Sequence, residues 1–276
     1  MPIVARNKSC SSWQNKNMDS QLEGDKIQIH YRFWFENDRE IRFRLQLDSK
    51  TLAPVKPLAK KLPDWTRLEF NRCPSCPLDN AEHPHCPTAA RLFPVVSKIR
   101  DVVSTEPVKV AVTTPQRTVM RKSCAQEGLS SLIGVTMATS GCPHTAFFRP
   151  MARFHLPFAD LDETAYRAVS TYLMAQYFRK TRGQDADLSM EGLHELYDQV
   201  SEVNRHMSER LQADKCEDGA VNAIDILDMF AKGLPPQFES LLDELEALFQ
   251  VFLDPSPVEL GQPAPPPAQT DAPAPA

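Results

Sequence analysis

Glycine is scarce in this chain, and its scarcity disfavours several common kinds of site. Only 9 of the 276 residues are glycine, and neither the G-x-x-x-x-G-K-[ST] phosphate loop nor the G-x-G-x-x-G dinucleotide turn occurs. The H-E-x-x-H zinc motif and the G-x-S-x-G nucleophile elbow are also missing. A nucleotide-dependent enzyme is therefore not expected, and no catalytic residues are predicted.

Long apolar runs are missing as well. No segment approaches the roughly 18 apolar residues of a membrane span. The N-terminus has no apolar core followed by a small-residue cleavage site, so we expect a cytoplasmic protein without membrane association. Seven cysteines, an odd number without a secretion signal, argue against a disulfide framework. They favour metal ligands or reactive thiols instead.

Charge is unevenly distributed along the chain. Residues 91–153 contain nine Lys/Arg and three Asp/Glu, whereas residues 183–253 contain four Lys/Arg and sixteen Asp/Glu. Two oppositely charged lobes attract each other within one molecule, and the alternative is a protein partner that binds the acidic helices. Because the pI is about 5.8 and no basic stripe is interleaved with aromatic residues, nucleic-acid binding is not expected.

The first half of the chain reads mainly as strands. Alternating apolar residues predict one β-hairpin over residues 27–47 and a second over residues 108–122. Residues 65–72 are predicted to form a third strand, and residues 88–103 a helix. A further helix is expected to begin at a capping box of Ser123 and Gln126 and to end near Gly141.

The second half reads only as helices, over roughly 161–182, 190–212 and 219–232, with a last one opened by Pro235 and Pro236. The first of them is expected to begin at a cap formed by Asp160 and Glu163. The expected fold class is α+β. A small antiparallel sheet of hairpins with helices, over residues 25–155, is followed by an α-helical bundle over residues 156–253. Residues 1–24 and the Pro/Ala-rich residues 254–276 are expected to be disordered.

Four of the seven cysteines are each followed by proline, namely Cys73, Cys76, Cys86 and Cys142; Cys10, Cys124 and Cys216 are not. The C-x-x-C spacing of the first two lets two thiolates bind one ion from a single turn. The following proline fixes a local turn and removes one backbone N–H. A set of four thiolates suits tetrahedral zinc or a four-iron cluster, so we predict a metal site at these four residues.

Zinc is the favoured ion, because it is the commoner structural metal, and an iron–sulfur cluster is the alternative. Unliganded buried thiols and a redox-active C-x-x-C pair stay open as further interpretations. His83, His85 and His144 lie near the cysteines in the sequence and are reserve ligands.

A second candidate site lies just beyond Cys142. Arg149, Arg153 and His155 are close together in the stretch RPMARFH. Arginine forks match phosphate and carboxylate groups, so this cluster could bind an anionic ligand. The competing interpretation is structural pairing with the acidic helices.

The stretches RCPSCPL, HPHCPTAARL, SGCPH and FRPMARFHLPF resemble a family of uncharacterised bacterial proteins, catalogued as a domain of unknown function. The resemblance covers roughly residues 27–252 and implies a bacterial protein built as a single unit. It transfers no activity, substrate or catalytic residue. Three hypotheses follow: a non-enzymatic binding or regulatory module with structural zinc, an iron–sulfur redox or oxygen sensor, and an enzyme or receptor for an anionic ligand.

Overall fold

The computed structural model describes residues 26–36, 38–214 and 217–253. The disorder predicted for residues 1–24 and 254–276 lies outside these residues, as do Cys10 and Cys216.

The described part contains a four-stranded antiparallel sheet, and this confirms both predicted hairpins. The strands are β1 (Lys26–Phe35), β2 (Glu40–Asp48), β3 (Pro107–Thr113) and β4 (Thr118–Cys124), in the spatial order β2-β1-β3-β4. Alternate residues of β1, including Tyr31 and Phe33, are buried on one face of the sheet. That face carries the core.

The third predicted strand is wrong. Residues 65–72 form a short 3₁₀ turn, Asp64–Thr66, followed by further turns, and only one isolated bridge pairs Arg67 with His85. The physical reason is that the backbone carbonyls of this segment have another partner. The side chain of Arg210 donates hydrogen bonds to three of them, which takes up acceptors that a neighbouring strand would use.

Seven α-helices complete the described part. They are α1 (Pro87–Val96), α2 (Ala125–Ala138), α3 (Arg149–Arg153), α4 (Leu161–Thr181), α5 (Glu191–Ala213), α6 (Gly219–Gly233) and α7 (Phe238–Leu253). With the sheet they confirm the α+β fold class. The capping box predicted for α4 is present, since Asp160 and Glu163 each accept a hydrogen bond from the other's backbone N–H.

Two helix boundaries differ from the sequence prediction. Helix α1 ends at Val96 rather than near Val103, because the next backbone N–H groups, of Lys98 and Ile99, donate to carbonyls three residues back instead of four. Helix α2 has Cys124 as its N-cap residue, without a side-chain cap. Ser123 donates its hydroxyl to the Glu127 carboxylate instead, so the predicted capping box with Gln126 is wrong.

Helix α2 lies close against the inner face of the sheet. A β-carbon on Gly128 would lie 2.8 Å from Val110 Cγ2 and 2.9 Å from Phe33 Cε1, so only glycine permits this approach. After the helix, Gly141 adopts a φ of 99°, which places Cys142 at the start of the next turn.

Helix α5 belongs to two hydrophobic cores. Its residues Val203, Met207 and Leu211 pack in the core that contains the sheet, α1, α2 and part of α6. Its residues Leu193 and Tyr197 pack in a second core with α4 and the segment that leads into α7. The division into parts at residue 155 stays a prediction. Helices of the second half contribute to the core that contains the sheet.

Candidate functional site

The C-x-x-C pair lies in a tight turn. The backbone N–H of Cys76 donates to the Cys73 carbonyl over 3.0 Å, and Pro74 occupies the second position of the turn. The guanidinium of Arg72 donates to the carbonyls of Cys76 and Leu78 at 3.2 and 2.6 Å. The turn is therefore held from both sides by hydrogen bonds.

Cys86 and Cys142 occupy similar backbone positions. Each has extended dihedral angles and precedes a proline that opens a helical segment, α1 for Cys86 and the 3₁₀ segment Pro143–Phe148 for Cys142. The N–H of Cys86 donates to the Thr66 carbonyl over 2.8 Å, which ties this residue to the turn at 64–66. In both places the cysteine therefore directly precedes a helical turn that begins with proline.

The four Cys-Pro cysteines come within electrostatic range of one another. Burial, and next the charges of Cys86, Cys142 and Cys76, raise the pKa of Cys73 to about 12. Burial, followed by the charge of Cys86, likewise raises the pKa of Cys142. Cys73, Cys76 and Cys86 are half-buried and Cys142 is buried. Cysteines from three separate stretches of chain therefore act on one another electrostatically, and the prediction that they form one metal site stays a prediction.

Polar groups around Cys142 act against the rise in its pKa. The backbone amides of His144 and Thr145 and the hydroxyl of Thr88 each act to lower it. Groups of this kind stabilise a thiolate and not a thiol.

Arg210 lies beside the cysteines and was not predicted. It is 2% exposed and donates to the carbonyls of Trp65, Arg67 and Leu68 at 2.7, 2.7 and 3.0 Å. Burial lowers its pKa, while Cys86, Cys73 and Cys76 are the charges that raise it. No ion pair joins it to a carboxylate within residues 26–36, 38–214 and 217–253, and the cysteines would act on it as negative charges only when deprotonated.

The sequence did hold a signal for Arg210. It lies seven residues after Val203 in α5, so it falls on the apolar stripe of the helix. A charged residue at a core position needs a buried partner.

The three reserve histidines differ in their surroundings. His144 places Nδ1 2.9 Å from Gln199 Oε1 and Nε2 3.1 Å from the Ser75 carbonyl, so both ring nitrogens already have protein partners. His85 Nδ1 lies 2.8 Å from the hydroxyl of Thr66. His83 is exposed.

Helix α5 supports the C-x-x-C turn through Glu202. Its carboxylate accepts the Ser75 N–H at 3.2 Å and the Ser75 hydroxyl at 3.0 Å. Together with the contact between His144 and Gln199, this network joins the turn, the segment after α2 and helix α5. Sequence reasoning missed Glu202, because it lies more than a hundred residues from the cysteines it supports.

No group of three or more His, Cys, Asp or Glu side chains in the described part of the chain is already arranged to hold a metal ion. The cysteines described are free thiols, without a disulfide among them. Cys124, the described cysteine without a following proline, caps α2 and is not among the groups that shift the pKa of Cys73. The metal site and its cofactor stay predictions.

The predicted anion-binding cluster is not drawn together by mutual contacts. Arg153 is exposed and its guanidinium lies 5.7 Å from the ring centre of Phe154. Arg149 is half-buried, with an Nε that has no partner among the described residues. His155 Nε2 lies 2.5 Å from the hydroxyl of Tyr31. Of these three residues, only His155 lines the apolar cavity described below.

A family model described as a domain of unknown function, DUF6901, matches residues 29–250. No curated protein and no solved structure matches the chain. Among the helices described, none combines the length and the apolar character needed to cross a membrane.

Proposed function

We propose that this chain, which belongs to the DUF6901 family of unknown function, is a non-enzymatic binding or regulatory protein that carries a structural zinc ion. Its four ligands would be Cys73, Cys76, Cys86 and Cys142. The observation that carries the proposal is the convergence of these residues, the four Cys-Pro cysteines, from three stretches of chain.

The donor set fits zinc. Four thiolates form a closed tetrahedral shell that leaves no position for a substrate, which is typical of structural sites. The tight turn at 73–76 supplies two of them from one segment, and Cys86 and Cys142 supply one each from segments that are distant in sequence. The free thiols would have to lose their protons and turn towards one point on binding the ion.

The surrounding charge also fits. Zn²⁺ bound by four thiolates is a dianion, and a buried dianion needs positive charge nearby. Arg210 is a buried guanidinium whose hydrogen bonds all go to neutral carbonyls. The backbone amides of His144 and Thr145 act in the same direction, since they lower the pKa of Cys142 and so favour the thiolate.

Zinc would act as a staple. The ion would join the 73–76 turn, the start of α1 and the segment after α2, next to helix α5. These segments pair with each other through few backbone hydrogen bonds, so a metal bond would add stability where the sheet cannot. Thiolates persist in this form in a reducing compartment, which suits a cytoplasmic location.

An iron–sulfur cluster on the same four cysteines is the second candidate, because all-thiolate ligation suits both cofactors. The same experiment separates the two. Protein purified under reducing, air-free conditions would be analysed for metal content, acid-labile sulfide and visible absorption. We expect about one zinc ion per chain and no colour. Iron, sulfide and a visible band would establish the cluster instead.

Variants locate the ligands. Cys142→Ser and Cys73→Ser should each lose the metal, and the melting temperature should fall by about 10 °C or more, as it should when a strong chelator is added. Cys124→Ser is the matched control and should retain both metal and melting temperature. Metal retained in Cys142→Ser would show that the fourth ligand is wrong, and the absence of metal from the native protein would refute the proposal.

A further inference from the structure

An apolar cavity of about 200 Å³ lies on the side of helix α5 that faces away from the cysteines. Side chains of α2, α3, α4, α5 and α6 line it, and most of them are apolar. For comparison, a dry engineered cavity of about 150 Å³ in another protein binds benzene. The space therefore suits a molecule built on a single aromatic ring.

Two buried polar groups in the wall of this cavity have no hydrogen-bond partner among the described residues. They are the hydroxyl of Tyr197 and the side-chain amide nitrogen of Asn204, and each residue is 2% exposed. A buried donor without a partner costs about 1–3 kcal/mol. Two of them in one apolar wall favour a ligand that carries hydrogen-bond acceptors.

Other polar side chains of the wall are satisfied. Thr145 donates to the Met137 carbonyl at 2.8 Å, and Ser130 donates to the Glu127 carbonyl at 2.9 Å. Ser131 lies 2.9 Å from the hydroxyl of Tyr31. The unpartnered state is therefore particular to Tyr197 and Asn204.

A cation lies near one of these two groups. Arg167 lines the cavity and donates to the carbonyls of Met151 and Phe154 at 2.8 and 3.3 Å, and within the described residues no carboxylate forms an ion pair with it. Burial lowers its pKa, and Tyr197 and then Glu163 act against this effect. The guanidinium and the Tyr197 hydroxyl line the same cavity, and together they match a carboxylate.

Asn204 lies at a different end of the cavity wall. It follows Tyr197 by seven residues in α5, so the two Cα atoms are about 10 Å apart along the helix axis. One carboxylate cannot satisfy both side chains. A second acceptor, separated from the first by an apolar spacer, would be required for Asn204.

We infer that this cavity binds a small aromatic monocarboxylate with a hydrogen-bond acceptor at its far end. The carboxylate contacts Arg167 and Tyr197, the ring fills the apolar middle, and the distal acceptor takes the amide N–H of Asn204. This site is independent of the zinc proposal, since it uses none of the cysteines. It also replaces Arg149 and Arg153 with Arg167 as the cation that recognises an anionic ligand.

The test uses three probes of nearly equal size in titration calorimetry at pH 7. The first, 4-acetylbenzoate, carries both polar ends. The second, 4-ethylbenzoate, lacks the distal acceptor, and the third, 4-acetylbenzyl alcohol, lacks the charge. We expect saturable binding of 4-acetylbenzoate at one site per chain, and about tenfold weaker binding of each of the other two.

Two isosteric variants show which side chain contacts which polar end of the ligand. Tyr197→Phe should weaken both carboxylates about tenfold and leave the preference for acetyl over ethyl unchanged. Asn204→Leu should abolish that preference. Neither variant should lower the melting temperature of the unliganded protein, because each removes a donor without a partner. Tyr166→Phe, on an exposed tyrosine of α4, is the control and should bind like the native protein.

Three outcomes would overturn the inference. The first is that 4-acetylbenzoate does not bind, and the second is that it binds no better than the other two probes. The third is that Tyr197→Phe or Asn204→Leu lowers the melting temperature as the loss of a satisfied buried hydrogen bond does. Metal content, measured on the same preparations, keeps this test separate from the zinc proposal.

Discussion

Helix α5 borders two regions, and the polar side chains that it contributes to them differ in their hydrogen-bond partners. Gln199, Glu202 and Arg210 face the cysteines, whereas Tyr197 and Asn204 line the cavity. At 100° per residue, these two groups point about 150° apart around the helix. One helix therefore supplies a wall to both regions.

On the cysteine side, three polar side chains of α5 have partners within the protein. Arg210 makes three hydrogen bonds, Glu202 accepts two and Gln199 contacts His144. On the cavity side, Tyr197 and Asn204 each keep an unpartnered group. The difference teaches that Gln199, Glu202 and Arg210 are satisfied by the protein itself, whereas Tyr197 and Asn204 offer donors to the ligand inferred above.

The largest loss of stability is expected when Arg210, on the cysteine side of α5, is replaced. Arg210→Met keeps much of the volume but leaves three carbonyls without their donor, so we expect the free energy of unfolding to fall by about 3–5 kcal/mol. Urea unfolding measures it. Arg205→Met removes an exposed arginine of the same helix and should cost less than about 1 kcal/mol. Equal losses in the two variants would show that Arg210 is not a structural centre of this region.

A smaller loss of stability is expected on the cavity side of α5 when the pH falls. Burial, and next the charge of Arg167, lower the pKa of His155 to about 4, against an ordinary value of 6.5. Between these two values the unfolded chain binds the proton and the folded chain does not. The stability that His155 contributes is therefore complete above pH 6.5 and is lost as the pH falls towards 4.

His155→Gln should remove this loss. From pH 7 to pH 4.5, unfolding of the native protein should become easier by about 2–3 kcal/mol more than unfolding of the variant. His83→Gln, on an exposed histidine, should follow the native protein. If His155→Gln shows the native slope in urea titrations at both pH values, His155 is not held neutral in the fold.

Local patterns in the sequence were sufficient for most of the fold. Alternation in residues 27–47 predicts the first hairpin because one face of the sheet is buried and the other is not. Asp160 and Glu163 predict the start of α4 because their side chains cap its first turn. The Cys-Pro dipeptides single out four cysteines, of which three act on the pKa of the fourth, Cys73, but the metal site itself stays a prediction.

The parts that the sequence did not reveal depend on contacts between distant residues. Trp65 and Leu68 are buried, and their carbonyls bind the side chain of Arg210, 145 and 142 residues later. The same is true of the cavity. Arg167 and Tyr197 come from different helices, and nothing in their local spacing indicates that they meet. Periodicity shows which face of a helix or strand is buried, and not which other element packs against that face.

The smallest effect is expected at Glu202. The direction in which its replacement changes zinc affinity tests whether this carboxylate acts on the thiols or on the ion. Glu202→Gln can keep a hydrogen bond to the Ser75 N–H, so the free energy of unfolding should change by less than about 0.5 kcal/mol. Its charge is among those that raise the pKa of Cys73, after burial and the other three cysteines. Removing that charge favours the thiolates, so in competition with a chelator the variant should hold zinc up to about threefold more tightly. Weaker zinc binding in this variant would mean that the Glu202 carboxylate supports the ion itself, and Ser75→Ala, which keeps the charge, is the control that should not tighten binding.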